Sequence, residues 1–570
     1  MVNENGWPGA QRKWLVRESD ADTVANLEAE LGLLPATAMV LAARGLCSAE
    51  AVKAFLHPTL DRLHSPFCFL QMEAAVDRLL RALKQGDRIV VHGDYDVDGI
   101  TGTVVLVTVL RALGGDVTYL VPHRMRDGYG LHQRGIEAAH QAGARLVIAV
   151  DCGINAHAAA ERARELGIEL LIVDHHQPGP QMPPATAILN PRLEDAGYPE
   201  EDLAAVAVAF KLARGLLQRH PAGFRGTSLL KLVAIGTVAD LVPLCGENRV
   251  IAHYGLATLL EAANPGLRAL LDLSGIRAAP VSADDIAFRL APRINAAGRL
   301  GDAGEAVELF LTTDPGRARR LAHQLESANS RRRRVTDEVA QAAMRQVPAD
   351  ADPIAVVAGE GWHRGVIGIV ASRLVEEWGR PVVVISIEGE KAYGSARSLP
   401  GFSIVKAFDG VADLLEEYGG HHQAAGLQLA ACKVDSLREG LKPVATESLA
   451  EATRRRSRFI CDAELSADQP LAGLALELER LSPFGVGNRK PRFLYRDLEI
   501  KEEVTVLNEA HLRLRLAAAG GTVEAIAWRQ GHLAARLHGQ RRIDAVASLE
   551  MRRWGGRMRP QLELLAFRPT

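Results

Sequence analysis

Three aspartates alternate with other residues in Arg88-Ile-Val-Val-His-Gly-Asp-Tyr-Asp-Val-Asp-Gly-Ile-Thr-Gly102, directly after a short apolar run. In an extended segment side chains alternate with a period of two, so Asp94, Asp96 and Asp98 are expected to share one face. Carboxylates crowded in this way raise one another's pKa, and a bound divalent cation resolves the crowding. Further acids and imidazoles stand where apolar runs end. Asp151-Cys-Gly153 follows Leu146 to Val150, and Asp174-His175-His176 follows Ile168 to Val173. Asp240, a lone acid among apolar residues before Pro243, either caps a turn or reaches the same centre. An EF-hand reading fails, because the twelfth position counted from Asp94 is Val105 and not a bidentate glutamate. Carboxylates and imidazoles without thiolates favour Mn(II) or Mg(II) over zinc. This many acids can hold two ions about 3.5–4 Å apart, an arrangement suited to in-line displacement at phosphorus in phosphoester or phosphoanhydride hydrolysis.

Such residues need a frame to hold them. From about 76 to 270 short apolar strands alternate with helices, the pattern of a parallel sheet with crossover helices. Strands are predicted at Arg88 to Val91, Val117 to Val121, Leu146 to Val150 and Ile168 to Val173. In open parallel sheets ligands bind beyond the carboxyl ends of the strands, so three segments would deliver acids and histidines to one edge. Residues 1–75 read as a helical packing segment, with Leu27, Leu31, Leu41 and Leu46 near helical spacing. Residues 303–345 read as a long helix whose basic run, Arg331 to Arg334, is either a solvated face or a phosphate contact.

A second α/β unit is predicted over 350–450, with strands near Ile354 to Val357 and Val382 to Ile385. Arg397, flanked by Ser395 and Ser398, offers a charge-assisted fork for phosphate. In Gly419-Gly-His-His-Gln-Ala-Ala-Gly426 adjacent glycines would let the backbone approach a phosphate to which His421 could donate; a glycine-terminated helix is the alternative. After Arg454-Arg-Arg456 the pattern turns to β. His511-Leu-Arg-Leu-Arg-Leu516 alternates strictly, Ile543 to Ala547 is another strand, and Gly520-Gly521 and Gly555-Gly556 mark turns. An OB-like barrel for single-stranded nucleic acid fits this pattern, with Arg541, Arg542, Arg552, Arg553, Trp554, Arg557 and Arg559 as its basic and stacking surface.

Composition bounds these readings. With 570 residues, 48% hydrophobic and 24% charged, the chain resembles an ordinary multidomain globular protein. A formal net charge of -2, from 67 Lys plus Arg against 69 Asp plus Glu, excludes a generally basic nucleic-acid binder, so any polyanion site must be a local patch. Six scattered cysteines contain no Cys-x-x-Cys pair and suit a reducing cytoplasm. No signal peptide and no run long enough to span a membrane is expected.

The segments His92-Gly-Asp-Tyr-Asp-Val-Asp-Gly99, Asp151, Asp174-His-His176 and Asp240 resemble the four motifs of the DHH phosphoesterases. That resemblance implies that Asp96, Asp98, Asp151, His175 and Asp240 hold two ions, Mn(II) or Mg(II), with Asp151 bridging and His92 as a further ligand. It also implies that His176 meets the scissile phosphate as proton donor or oxyanion stabiliser, and that Asp94 orients water.

The remaining motifs are Val121-Pro-His-Arg124, Asp127-Gly-Tyr-Gly-Leu131, Ala291-Pro-Arg-Ile-Asn-Ala-Ala-Gly-Arg-Leu-Gly-Asp302, Trp362-His-Arg-Gly365, Gly394-Ser-Ala-Arg-Ser398, Gly419 to Gly426 and Pro483-Phe-Gly-Val-Gly-Asn488. These are similar to the RecJ family of single-stranded-DNA-specific exonucleases. Ala204-Ala205-Val206 departs from the family's frequent glycine, which is expected to touch only local packing.

The RecJ likeness implies a parallel-sheet DHH lobe and a second α/β lobe, DHHA1, joined by a long helix, followed by an OB-like β-barrel. The expected bounds are a helical segment over 1–75, the DHH domain over 76–280, a connector over 281–345, DHHA1 over 346–452 and the barrel over 453–570. Substrate would be held by Arg124, Arg293, Asn295, Arg299, Ser395, Arg397, Ser398, Gly419, Gly420 and His421. The implied activity is 5′-to-3′ exonuclease digestion of single-stranded DNA in repair and recombination. A monomer in the cytoplasm, working with a single-strand-binding protein and a helicase, is the implied setting. A DHH oligoribonuclease or small-nucleotide phosphatase, or a non-catalytic replication scaffold, are the alternatives.

Overall fold

In a computed structural model of the chain, the described residues are 12–570 except 129, 222, 224–225, 347–351, 457, 467 and 555–556, and side chains are not described at 447–456 and 553–554. Tyr129, the Gly555-Gly556 turn and the side chains of Arg454, Arg455, Arg456, Arg553 and Trp554 therefore lie outside the described residues. The chain divides into two compact units, Pro58–Asp337 with Pro483–Arg489, and Met1–His57 with Glu338–Ser482 and Lys490–Thr570.

The first unit is built on a five-stranded parallel sheet in the order Val117–Leu120, Ile89–Gly93, Leu146–Val150, Glu169–Val173, Ala187–Leu189. Its central strands are buried along their length because helices cover both faces, as the uninterrupted apolar runs require. The period of two sorts the strand residues between two cores. Ile89, Val91, Ile148, Val150, Leu171 and Val173 pack on the side of helices Val97–Ala112, Ala205–Arg219 and Leu230–Ala239. Val90, Val147, Ala149, Leu170 and Ile172 pack on the side of helices Gln133–Gln141 and His157–Glu165.

In the second unit, a five-stranded mixed sheet runs Glu417–His421, Ala424–Ala430, Lys391–Arg397, Val382–Glu388, Ala355–Glu360, with only the last pair parallel. A seven-stranded sheet follows in the order Ala463–Leu465, Phe493–Glu499, Arg542–Trp554, Arg557–Pro569, Gly521–Ala527, His511–Ala518, Thr505–Leu507. Lys13–Val16 pairs in parallel with Arg458–Cys461, so the segment expected to be helical also contains a strand.

Other expectations need correction. The aspartates do not share an extended segment: the strand ends at Gly93, and Asp96 caps helix Val97–Ala112 by accepting from the N–H groups of Asp98 (2.9 Å) and Gly99 (3.1 Å). Aspartate is among the strongest N-caps, and here capping overrides the strand reading. The long helix is two, Gly304–Leu311 and Pro315–Met344, because Pro315 disfavours helical geometry at the residue before it and opens a new first turn. Gly419 to Gly426 forms a β-hairpin and not a helix end. Among the described residues no helix is long and apolar enough to cross a membrane.

Candidate metal centre

Each acid is delivered by the end of an element. Helix Val97–Ala112 presses its first turn against the strand end, and a Cβ on Gly99 would lie 2.6–2.8 Å from the backbone of Asp94. Only glycine allows this approach, which brings Asp94, Asp96 and Asp98 around one bend. Asp98 is buried, and its carboxylate accepts from the N–H groups of Ala205 (2.7 Å) and Val206 (2.8 Å) at the start of helix Ala205–Arg219. The Ala204-Ala205-Val206 departure thus bears on the site, not only on packing. Sequence reasoning missed it because a backbone N–H leaves no trace in residue type.

Asp151 follows its strand with φ 61°, a left-handed conformation that costs a non-glycine residue energy. Its N–H donates to Val173 O (2.9 Å), tying it to the neighbouring strand's end. Beyond that strand, Asp174 organises the turn. Its carboxylate accepts from the N–H groups of Ile154, His175 and His176 and, at 2.7 Å, from Nδ1 of His176.

His175 Nε2 then lies 3.3 Å from Asp151 Oδ1, 3.7 Å from Asp240 Oδ2 and 3.8 Å from Asp98 Oδ2. Asp240 closes the C-terminus of helix Leu230–Ala239 and also turns its carboxylate to this centre, so the two alternatives coincide. Three donor groups have ligand atoms within 4.8 Å of one another: Asp98–His175–Asp240, Asp94–Asp96–Asp151 and Asp151–His175–His176. The expected ligands Asp96, Asp98, Asp151, His175 and Asp240 are all in these groups, and so are His176 and Asp94. His92 is in none of them; it is buried, with Nδ1 4.0 Å from Cys152 Sγ and Nε2 against Gly135.

Electrostatics marks the centre as one built for cations. Burial, then the neighbouring carboxylates, raises Asp98 to about 7 and Asp240 to about 9, and pushes Asp94 and Asp151 well up. Burial lowers His175 to about 3. For His176 burial acts downward, but the hydrogen bond and charge of Asp174 outweigh it and raise the imidazole to about 9. Both carboxylate oxygens of Asp94 and both ring nitrogens of His175 are buried without a hydrogen bond of good geometry, as ligand atoms awaiting a cation would be. An all-carboxylate and imidazole donor set fits Mn(II) or Mg(II).

The substrate candidates fall into two groups. In the first unit the guanidinium of Arg124 lies 5.1 Å from the ring centroid of Tyr95, between Asp94 and Asp96 in the chain. Helix Ala291–Leu300 packs on Tyr95 at Gly298 and carries Arg293, Asn295 and Arg299. Arg293 is braced by Glu326 and by Arg289 O. In the second unit, sheet register sets Gly419 and Ser395 on either side of Gly426, and His421 and Arg397 on either side of Ala424. Arg397 donates to Ser395 Oγ (3.2 Å), Ser398 Oγ donates to Phe402 O (2.8 Å), and Gly420 has φ 139° with Ala424 O where a Cβ would be.

Comparison with known proteins agrees with these frames. The DHH family N-terminal domain matches residues 88–237, the DHHA1 domain 351–447 and the RecJ OB domain 461–566. Over 561 residues the chain is 36% identical to the single-stranded-DNA-specific exonuclease RecJ of Bacillus subtilis, covering 97% of this chain and 70% of that protein. RecJ from Thermus thermophilus in complex with Mn2+ superimposes with a TM-score of 0.84 at 32% identity, covering 98% of this chain and 80% of that one. The Mg2+ complex gives a TM-score of 0.79 at 31% identity, with 98% and 78% coverage. With three domain families in the RecJ order and this identity along nearly the whole chain, the chain belongs to the RecJ family of single-stranded-DNA-specific exonucleases.

Proposed function

We propose that the chain hydrolyses single-stranded DNA from its 5′ end to nucleotides, in repair and recombination, with two Mn(II) or Mg(II) ions as cofactors. The observation that carries this is the convergence of Asp98, Asp151 and Asp240 on one nitrogen of His175, beside a second donor group of Asp94, Asp96 and Asp151. Asp151, common to both groups, would be shared by the two ions, and Asp94 would serve as a ligand where His92 was expected to. Two such ions supply water of lowered pKa and neutralise charge developing at phosphorus.

The chain's own residues do the rest. The Asp174 carboxylate on Nδ1 favours the imidazolium form of His176, which would donate a hydrogen bond to a phosphate oxygen or a proton to the leaving oxygen. Arg124, Arg293, Asn295 and Arg299 bind the backbone nearest the metal centre. Ser395, Arg397, Ser398, Gly419, Gly420 and His421 form the patch for the strand's 5′ end, whose strand-end glycines and forked cation suit a terminal phosphate. The division of labour follows residues 76–280 for chemistry, 346–452 for the 5′ end and 453–570 for the strand beyond it, with 281–345 as connector and 1–75 as packing. The enzyme acts as a cytoplasmic monomer alongside a single-strand-binding protein and a helicase.

Digestion of 5′- and 3′-labelled single strands with Mn(II) tests this. Early release of the 5′ label as mononucleotide is expected, duplex of the same sequence should resist, and EDTA should stop the reaction. Early release of the 3′ label would overturn the polarity, and full activity of Asp151→Ala would overturn the metal assignment.

A further inference from the structure

The seven-stranded sheet carries an exposed tryptophan that no basic-residue count would find. Trp528 stands just past strand Gly521–Ala527 with 47% of its surface exposed. It is held in place. The next residue, Arg529, is left-handed with φ 58°, and its N–H donates to Nδ1 of His511 (3.0 Å). The imidazole of His511 meets the indole edge-on, at 4.8 Å between centroids and 79° between planes. The left-handed Arg529 and its hydrogen bond to His511 together fix the backbone that carries the indole.

The surroundings define the ligand. On strand His511–Ala518 the buried residues are Leu512, Leu514 and Leu516, so His511, Arg513 and Arg515 lie on the opposite face, where Arg515 is partnered by acids, Glu502 at 4.0 Å and Glu524 across the strand pair. Leu512 pairs with Ala527 and Arg513 with Ile526, which sets Trp528 beside His511 and Arg513. Arg513 is steadied by a hydrogen bond from Nε to Thr505 Oγ1 (3.0 Å) on the neighbouring edge strand. An exposed aromatic ring next to the guanidinium of Arg513 matches a nucleobase beside its phosphate. Two of the arginines expected to form the binding surface are, like Arg515, engaged with acids, Arg542 with Asp497 and Arg552 with Glu550.

We propose that Trp528 is a base-stacking platform for single-stranded DNA, positioned by His511 and flanked by Arg513 and Arg529. This rests on the proposed function and deepens it. A duplex buries the flat faces of its bases in their own stack, so an indole platform engages only unstacked bases. Selectivity for single strands then has a chemical origin.

The test measures Kd in EDTA, where no turnover occurs, for oligo(dT) and for an abasic strand of equal length, with the full chain and with Trp528→Leu, Trp528→Ala and Trp528→Phe. Leu keeps apolar bulk without a π face, and melting curves check that each variant folds. Expected is a loss of about tenfold on oligo(dT) for Leu and Ala, retention by Phe, and no change on the abasic strand. Unchanged affinity of Trp528→Leu for oligo(dT), or an equal loss on both strands, overturns the platform while leaving the proposed function standing. A wild-type chain that binds neither strand overturns both.

Discussion

At the scale of single residues, the metal centre stores repulsion that a cation relieves. In the metal-free protein Asp98 and Asp240 titrate near 7 and 9, and His176 near 9, all above their unfolded values. A group with a raised folded pKa contributes stability in full below its unfolded pKa and loses it as pH rises through the folded pKa. Asp98 loses its share by about pH 7, and Asp240 and His176 lose theirs by about 9, so the melting temperature in EDTA should fall as pH rises from about 5 to 9, and saturating Mn(II) should flatten the slope; a flat profile in EDTA would contradict the charge arrangement. A second test separates two neighbours. Asp94→Asn should weaken Mn(II) binding by calorimetry by more than the roughly 10–100-fold that losing a group beside a ligand costs, and lower the stoichiometry, whereas His92→Gln should leave metal stoichiometry intact. The residue types of the centre were readable in the sequence because acids follow apolar strands. Which of Asp94 and His92 faces inward was not, because that depends on the bend after Gly93 turning successive side chains in directions no strand period describes.

Elements explain why the bend holds. Gly99 accepts no side chain because backbone atoms of Asp94, which cannot rotate away, occupy the space. Gly99→Ala should destabilise by about 1–3 kcal/mol and lower metal affinity together, by melting and calorimetry. If stability fell without any change in metal affinity, the close approach would serve packing alone. Four of the five parallel strands of the first unit were legible to within two residues, because strands buried on both faces read as apolar runs, whereas the short strand Ala187–Leu189 was not. The hairpin at Glu417–His421 was not, since Gly-Gly signals a helix end as well as a turn and only pairing with Ala424–Ala430 decides. The support of Asp98 by helix Ala205–Arg219 was equally invisible: it joins residues more than a hundred positions apart through backbone groups common to every amino acid.

At the scale of the whole molecule, a net charge of -2 means that affinity for a polyanion must come from local tracts. Between Pro315 and Thr336 the sequence holds seven arginines and a single acid, Glu326, which is engaged with Arg293. Arg331 and Arg334 are exposed on helix Pro315–Met344. If they meet the strand's phosphates, Arg331→Ser with Arg334→Ser should reduce the slope of log Kd against log salt by about 0.7 for each phosphate no longer neutralised. An unaltered slope would return that tract to a solvated face.

The two units also differ in how the chain is apportioned to them, and this bears on their order of birth. The unit with the metal centre is continuous from Pro58 to Asp337 but for the seven residues Pro483–Arg489, whereas the other is assembled from three separated stretches. Strand Lys13–Val16 finds its partner at Arg458, about 445 residues downstream. At roughly 5–20 residues per second a ribosome needs about 20–90 s to deliver that partner. Through that interval the early strand is an unpaired edge, a natural client for a chaperone, while the acidic centre is already free to close. Vectorial synthesis thus delivers all of the metal-centre unit except Pro483–Arg489 before the partner of strand Lys13–Val16.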